Sequence, residues 1–275
     1  MNKIRKCLFP VAGYGTRFLP VTKSIPKEML PIGSKPLIQY AVEEALSCDI
    51  SDIVMITSKY KGAIRAHFEP HHEIEDNVRG SEKEKLLDGI NVIIDTCEFS
   101  YVEQQEMLGL GHAIYCGVSV IGDESFAVIL PDDLCHNEGD SVLIQMNAVS
   151  QNYPHCCVVA IEEVPKGEVG KYGVIEGELV LDSEDTYLVK NMVEKPNITE
   201  APSNLAIIGR YILTKEIFDA LRATSPDKNG EIQITDALNS LAAQGKVIAY
   251  KFKGKRYDCG SPKGLLKAVN EFSEF

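Results

Sequence analysis

The sequence predicts an α/β fold, with a mostly parallel sheet flanked by helices and a smaller, β-rich second lobe. Three observations predict it. Short, nearly continuous apolar runs stand at Lys6 to Val11, Ile53 to Thr57 and Phe126 to Leu130, as strands buried on both faces do. Segments of helical period lie between them. After about Cys156 the pattern turns to β runs punctuated by glycine-bearing turns. At 275 residues the chain can bury one large or two smaller cores. No internal repeat or low-complexity linker divides it, so one unit over residues 1–275 is expected, its two parts meeting near residues 155 and 156.

Taken in order, the first strand, Lys6 to Val11, opens into "FPVAGYGTRFLPVTKSIPKEMLP", a stretch with two close glycines and four prolines. Pro36 suits a first helical turn. Ile38, Ala41, Val42, Ala45 and Leu46 then recur at i, i+3, i+4, i+7 and i+8, which points Glu43 and Glu44 away from the core. The interval Pro70 to Asp88 is rich in charge, with little to bury before Leu86 and Leu87, and reads as an exposed insertion. Its His71-His72 pair beside Glu73 lacks a ligand spacing and reads as solvated surface. Leu110, Ala113, Ile114, Gly117 and Val118 repeat the helical spacing, and the strand Phe126 to Leu130 runs into Pro131-Asp132-Asp133. Strands follow at Cys157 to Val164, Tyr172 to Val180 and Tyr187 to Val193, then amphipathic helices at Lys215 to Ala223, Ile234 to Ala243 and Lys263 to Phe272. Open α/β sheets bind ligands beyond the carboxyl ends of their strands, where the opening loop and Asp132 both fall.

Charge narrows the ligand. Residues 1 to 27 contain Lys3, Arg5, Lys6, Arg17, Lys23 and Lys27 and no acid, in a chain whose formal net charge is -12. Such a chain repels nucleic acid and anionic membrane, so a polyanion must be met by a few aimed cations, which suits a small phosphorylated ligand. The eight cysteines form no C-x-x-C, which argues against a zinc site or disulfide framework and for free thiols in a reducing compartment. No stretch approaches the roughly 18 apolar residues of a membrane span. The start, MNKIRKCLFPVAG, runs into Gly-Tyr-Gly-Thr-Arg instead of a signal cleavage site. A cytoplasmic location is expected.

The glycines do not fit the commonest phosphate cradles. A dinucleotide fingerprint G-x-G-x-x-G needs glycine where Phe18 stands, and the G-x-x-x-x-G-K-[ST] loop is absent. What remains is G-x-G-T-R after a strand, where backbone N–H groups can approach phosphate oxygens and Arg17 offers a fork for them. On its own, a tight turn explains these residues nearly as well.

Together with "GLGHA" at Gly109 to Ala113, "LPDD" at Leu130 to Asp133, "KYGVI", "VEKP", "GEIQITDA" and "YDCGSP", the opening string resembles the bacterial UTP–glucose-1-phosphate uridylyltransferases, within the sugar-phosphate nucleotidyltransferase family. The motifs occur in the family's order from the first strand to about Gly264. The resemblance implies a Rossmann-like nucleotidyltransferase core over about residues 1–155, a sugar-binding part with the C-terminal helices over about 156–275, and Mg2+ as cofactor. It also implies roles. Ala12 and Gly13 approach the nucleotide, Glu28, Gln104 and Gly109 lie near the uracil, and Arg17 and Lys27 meet the triphosphate. Gly173, Glu194 and Lys195 meet glucose 1-phosphate, while Asp132 holds the metal with Asp258 or Asp133 as second carboxylate. A homodimer or homotetramer is implied; Pro70 to Asp88 and the helix after Pro262 lie outside the motifs and are on that ground the expected contact surfaces. One departure from the family is Glu103 and Gln105 beside Gln104, where basic residues are common.

The residues alone leave plainer readings open. Asp132-Asp133 is also a turn after a strand, Glu194-Lys195 a solvated pair, Glu28 a partner for Lys27, and Gln104 a loop side chain serving backbone groups. Transfer of a thymidylyl or cytidylyl group, a metal-dependent glycosyltransferase and a catalytically silent sensor of nucleotide sugars are the competing functions. G-x-G-T-R and the downstream lysines argue against the glycosyltransferase, which need not cradle a triphosphate, and the presence of Arg17, Lys27, Asp132 and Lys195 argues for activity over a silent sensor.

Overall fold

The computed structural model describes residues 3–272, so the two ends of the expected 1–275 unit lie outside the described residues. The strands are β1 (Lys6–Pro10), β2 (Pro31–Ile32), β3 (Lys35–Pro36), β4 (Asp52–Thr57), β5 (Glu98–Glu103), β6 (Phe126–Ile129), β7 (Asp133–His136), β8 (Cys157–Glu163), β9 (Gly173–Leu179), β10 (Thr186–Glu194), β11 (Leu205–Leu213), β12 (Val247–Lys251) and β13 (Lys255–Asp258). The helices are α1 (Leu37–Ser47), α2 (Gly62–His67), α3 (His72–Val78), α4 (Asp88–Thr96), α5 (Gly109–Cys116), α6 (Val118–Ile121), α7 (Val142–Asn152), α8 (Glu216–Ala223), α9 (Ile234–Ala242) and α10 (Pro262–Phe272).

One nine-stranded sheet in the order β5-β4-β1-β6-β11-β8-β12-β10-β9 carries the fold. β5, β4, β1 and β6 are parallel neighbours, as their continuous apolar runs predict. Beyond β6 the sheet is mixed: β11 runs antiparallel to both β6 and β8, β12 parallel to β8, and β10 antiparallel to β12 and β9. The expected parallel character therefore belongs to the first half, and the β-rich part extends the same sheet. The strands expected from the sequence do not include β11, although its run LAIIGRYIL is apolar throughout apart from Gly209 and Arg210; it pairs with β6 from Arg210 opposite Ile129 to Leu213 opposite Phe126.

Alternation along β1 divides the core. Cys7 and Phe9 face a cluster with Ile38 and Val42 of α1 and Leu143 and Met146 of α7, whereas Leu8 faces Ile114 of α5, Phe218 of α8 and Leu238 of α9. Fully burying a side chain such as Phe9 or Leu8 contributes ~1.5–3 kcal/mol, so these two layers dominate the stability of the sheet. A third cluster of Phe18, Leu30, Leu37, Leu134, Tyr257 and Ala268 fastens the opening loop to β7, β13 and α10.

Glu43 lies at the surface with Lys35, at 2.9 Å. Glu44 does not face away from the core as the helical spacing predicts. Its carboxylate turns inward to Arg210 of β11, at 2.8 Å, because a buried arginine on the neighbouring strand must be neutralised. The interval from Pro70 to Asp88 is exposed as expected, with α3 and a short 3-10 turn at Glu84–Leu87. His71 caps α3, accepting from Ile74 N.

Candidate active site

The opening loop leaves the carboxyl end of β1, held by Val11 N donating to Ile56 O at 2.8 Å. Gly15 takes φ +64°, which a glycine adopts without steric cost, and its carbonyl accepts the Thr22 hydroxyl at 2.8 Å. Short 3-10 turns at Thr16–Phe18 and Lys27–Met29 then aim Arg17 and Lys27 back at the strand ends. Ala12, Gly13, Lys27, Gln104, Gly109 and Asp132 line a single cavity of about 380 Å³. Six of the residues singled out in the sequence are thus brought together.

Gln104 is buried, its amide nitrogen 3.0 Å from His112 Nδ1 and 3.4 Å from the Gly109 carbonyl. Glu103 and Gln105 point outward, so the departure from the family pattern falls on the exposed side of this segment. Gly109 has φ +89°, and a Cβ there would stand 2.9 Å from Glu231 Cβ. The "GEIQITDA" segment therefore packs against this loop, Glu231 lining the cavity and the Ile232 carbonyl accepting Gly111 N at 2.9 Å.

Lys27 Nζ lies 2.6 Å from Asp132 Oδ2, with side chains 23% and 26% exposed. Burial disfavours both charges, but each partner outweighs it: Lys27 holds the Asp132 carboxyl below its ordinary range, and Asp132 holds the Lys27 ammonium above its own. Asp258 comes to the same place on β13, whose register sets it opposite Asp133. A Cβ on Gly260 would be 3.1 Å from both Asp132 Oδ2 and Asp258 Oδ1 and 3.6 Å from Arg17 Nη1. Arg17 itself donates to the Gly260 carbonyl at 3.3 Å.

These carboxylates fit a hard cation. Among the described residues no group of three or more His, Cys, Asp or Glu is placed to hold a metal. Magnesium commonly takes one or two carboxylates and completes its shell with water and phosphate oxygens, which a pair at a phosphate site allows. Asp133 is committed elsewhere. Its Oδ1 accepts from Arg256 at 2.7 Å and its Oδ2 from Gly209 N at 2.7 Å, which leaves Asp258 as the partner of Asp132.

The remaining residues gather at the β9 and β10 ends, where Glu194 is in register with Gly173. Glu194 Oε2 accepts the Thr235 hydroxyl at 2.6 Å and Oε1 lies 3.1 Å from Lys195 Nζ. A Cβ on Gly173 would be 3.0 Å from Thr235 Oγ1 and 3.2 Å from Glu194 Oε2. Glu28 lies outside both groups. It does not pair with Lys27; its fully buried carboxylate accepts from Lys61 Nζ at 2.7 Å. Burial pushes Glu28 up and Lys61 down, each toward its neutral form.

Thr235, Glu231, Lys61 and Arg256 were not singled out by sequence reasoning. The first two sit in a motif that was quoted without assigning its side chains. Lys61 and Arg256 carried no sequence signal, since their partners are distant in the chain.

The nucleotidyl transferase family profile matches residues 10–274. The UTP–glucose-1-phosphate uridylyltransferase of Pseudomonas aeruginosa strain PAO1 is 59% identical over 268 residues, covering 97% of this chain and 95% of that protein. A crystal structure of an apo UDP-glucose pyrophosphorylase superposes with TM-score 0.95 at 56% identity, over 98% of each chain. One of a UDP-glucose pyrophosphorylase complexed with UDP-glucose gives 0.91 at 54% identity, over 98% of this chain and 99% of that one. With nearly the whole length matched in sequence and in fold, this chain belongs to the nucleotidyl transferase family.

Proposed function

We propose that this chain transfers the uridylyl group of UTP to α-D-glucose 1-phosphate, giving UDP-glucose and pyrophosphate. The observation that carries it is the meeting of Lys27, Asp132 and Asp258 around Gly260, at the mouth of a cavity lined by Ala12, Gly13, Gln104 and Gly109. The names of the relatives support the substrate pair.

Glucose 1-phosphate brings its own nucleophile, since a phosphate monoester with a second pKa of about 6 is largely dianionic at neutral pH and needs no protein base. Its oxygen forms a bond to the α-phosphorus of UTP while the bond from that phosphorus to the oxygen of pyrophosphate breaks. The obstacle is repulsion between anions, so positioning and charge neutralisation carry the catalysis. Lys27 and Arg17 receive the triphosphate, Gln104 and Gly109 lie toward the base, and Gly173, Glu194 and Lys195 hold the sugar phosphate. Mg2+ held by Asp132 and Asp258 would supply further positive charge to the phosphates. The nucleotide part is about residues 1–155, with Glu231 joining it at the cavity, and the sugar part with the C-terminal helices about 156–275.

The eight free thiols support a reducing, cytoplasmic location, and no described helix is long and apolar enough to cross a membrane. Assembly as a homodimer or homotetramer through Pro70 to Asp88 and α10 is tested by light scattering. The reaction is tested by pyrophosphate release from a panel of UTP, dTTP, CTP and ATP with glucose 1-phosphate and Mg2+. UTP should have the largest kcat/KM. Thymine adds one methyl, worth ~1–3 kcal/mol in a pocket, so measurable activity with dTTP is expected. A larger kcat/KM for another nucleotide would overturn the base assignment.

A further inference from the structure

Arg256 stands on β13 opposite Cys135 of β7, two residues before Asp258, with its side chain 6% exposed. Its guanidinium is divided among three elements. Nε and Nη2 reach Asp133 Oδ1 at 2.8 and 2.7 Å, and Nη1 reaches Glu162 Oε1 of β8 at 2.5 Å. The guanidinium carbon lies 4.9 Å from the centroid of the Tyr172 ring. Each partner adjoins one end of the site. Asp133 follows Asp132, and its second oxygen fixes Gly209 of β11. Tyr172 precedes Gly173, and its carbonyl accepts Lys195 N at 2.9 Å, where Lys195 takes the left-handed φ of +46°.

We propose that Arg256 is a positioning residue that sets the spacing between the Asp132–Asp258 pair and the glucose 1-phosphate group at Gly173 and Lys195. The inference rests on the reaction proposed above. No other side chain described here bonds both the aspartate next to Asp132 and the strands of the sugar side. A planar fork that also stacks on a ring is needed for this, and an ammonium cannot serve Asp133, Glu162 and the Tyr172 face together. Arg256 acts on the sugar phosphate only through Tyr172 and Lys195, so its effect there should vanish when Lys195 is removed.

The test uses Arg256→Lys, which keeps the charge, and Tyr172→Leu, which removes the stacked face and the hydroxyl that accepts from Arg256 Nη1 at 3.5 Å, each alone and with Lys195→Ala. Arg256→Lys should raise KM for glucose 1-phosphate about tenfold with a smaller change in kcat, as loss of ground-state positioning does. It should also weaken Mn2+ binding, read from the free-ion EPR signal in the presence of the α,β-imido analogue of UTP, while leaving metal-free uridine binding unchanged. Tyr172→Leu should raise the same KM and leave Mn2+ affinity alone. Neither substitution should raise KM further in the Lys195→Ala background. A purely structural Arg256 would instead lower the melting temperature and leave both constants of the folded fraction unmoved, and that result, or additive KM effects with Lys195→Ala, overturns the proposal. Should Arg256→Lys fail to fold, Tyr172→Leu in the two backgrounds applies the same criterion. A wild-type protein that forms no UDP-glucose would overturn the underlying reaction and not the positioning role alone.

Discussion

Two cations close on carboxylates around the carboxyl end of β6, and they do so on opposite terms. Arg210 saturates itself. It gives two nitrogens to Glu44 and its third to the carbonyls of Leu130 and Gly209, at 3.1 to 3.2 Å, all of it buried. The Lys27 ammonium makes a single hydrogen bond among the described residues, to Asp132, and the side chain is partly open to solvent. A buried pair stands only where every donor is met, because removing one partner strands the other charge. An under-satisfied pair at a cavity wall is one that an arriving phosphate or cation can take over. The first pair ties α1 to β11 inside the fold, and the second stands in a cavity wall as the reaction proposed above requires.

The largest effect expected from this contrast is on Arg210. Arg210→Met leaves the buried Glu44 carboxylate with Leu143 N at 3.1 Å but no counter-charge, and should cost about 3–5 kcal/mol of stability, measured by urea unfolding. A loss well under 1 kcal/mol would break the comparison. Asp132→Asn should do the reverse, leaving the melting temperature within a few degrees while turnover falls by roughly 10²-fold or more, as removal of a transition-state charge contact does. Asp258→Asn should depress turnover less, its carboxylate accepting Gly260 N and having no lysine of its own at bonding distance among the described residues.

Next in size is the pair of lysines. Lys27→Ala should chiefly lower kcat, since charge moves onto the departing pyrophosphate it faces. Lys195→Ala should chiefly raise KM for glucose 1-phosphate, whose phosphate is charged before reaction begins. Lys27→Ala should also tighten Mn2+ binding to the nucleotide-free protein by ~1 kcal/mol, roughly fivefold, because a competing cation is gone from Asp132. Unchanged or weaker Mn2+ binding would mean that the lysine does not compete for the carboxylate.

The smallest effect is on pH dependence. The folded protein binds the Asp132 proton less tightly than the unfolded chain, whose carboxyl titrates near about 3.9. That contribution is present above about pH 4 and fades as pH falls through the lower folded value. Lys27 is the mirror case, its raised folded value keeping the stabilisation below about pH 10.4 and losing it above. Melting curves of Asp132→Asn should be flatter than wild type on both limbs, and parallel curves would show that the pair contributes nothing to stability.

Much of this was legible in the sequence where information is local. The three apolar strands, the stripe of α1 and the short β9 and β10 runs depend only on spacing along their own segments, and all appear within a residue or two of their expected bounds. The cavity residues were legible through the order of the motifs. What was not legible lies between segments. Glu44 fits the polar side of a helical stripe until Arg210 of β11 faces it, and Glu28 sits next to Lys27 in the chain yet pairs with Lys61. The β7–β13 ribbon is four residues on each side, too short for periodicity to announce, and it is what sets Asp258 beside Asp132.

That ribbon also orders events in time. Arg256 and Asp133 are 123 positions apart, and the strand carrying Arg256 and Asp258 is held down by α10, through Tyr257 and Phe272 with ring centroids 5.5 Å apart. A ribosome releases the opening loop and the first carboxylate long before the second, and closing so long a span is slow compared with forming the βα units around β1. The early part of the chain can therefore gather its parallel strands as it emerges, while the cavity waits for Glu231 and the carboxylate pair stays incomplete until α10 docks. A nascent chain would pass through a stage that holds Asp132 in place while its neighbour across the ribbon is still missing.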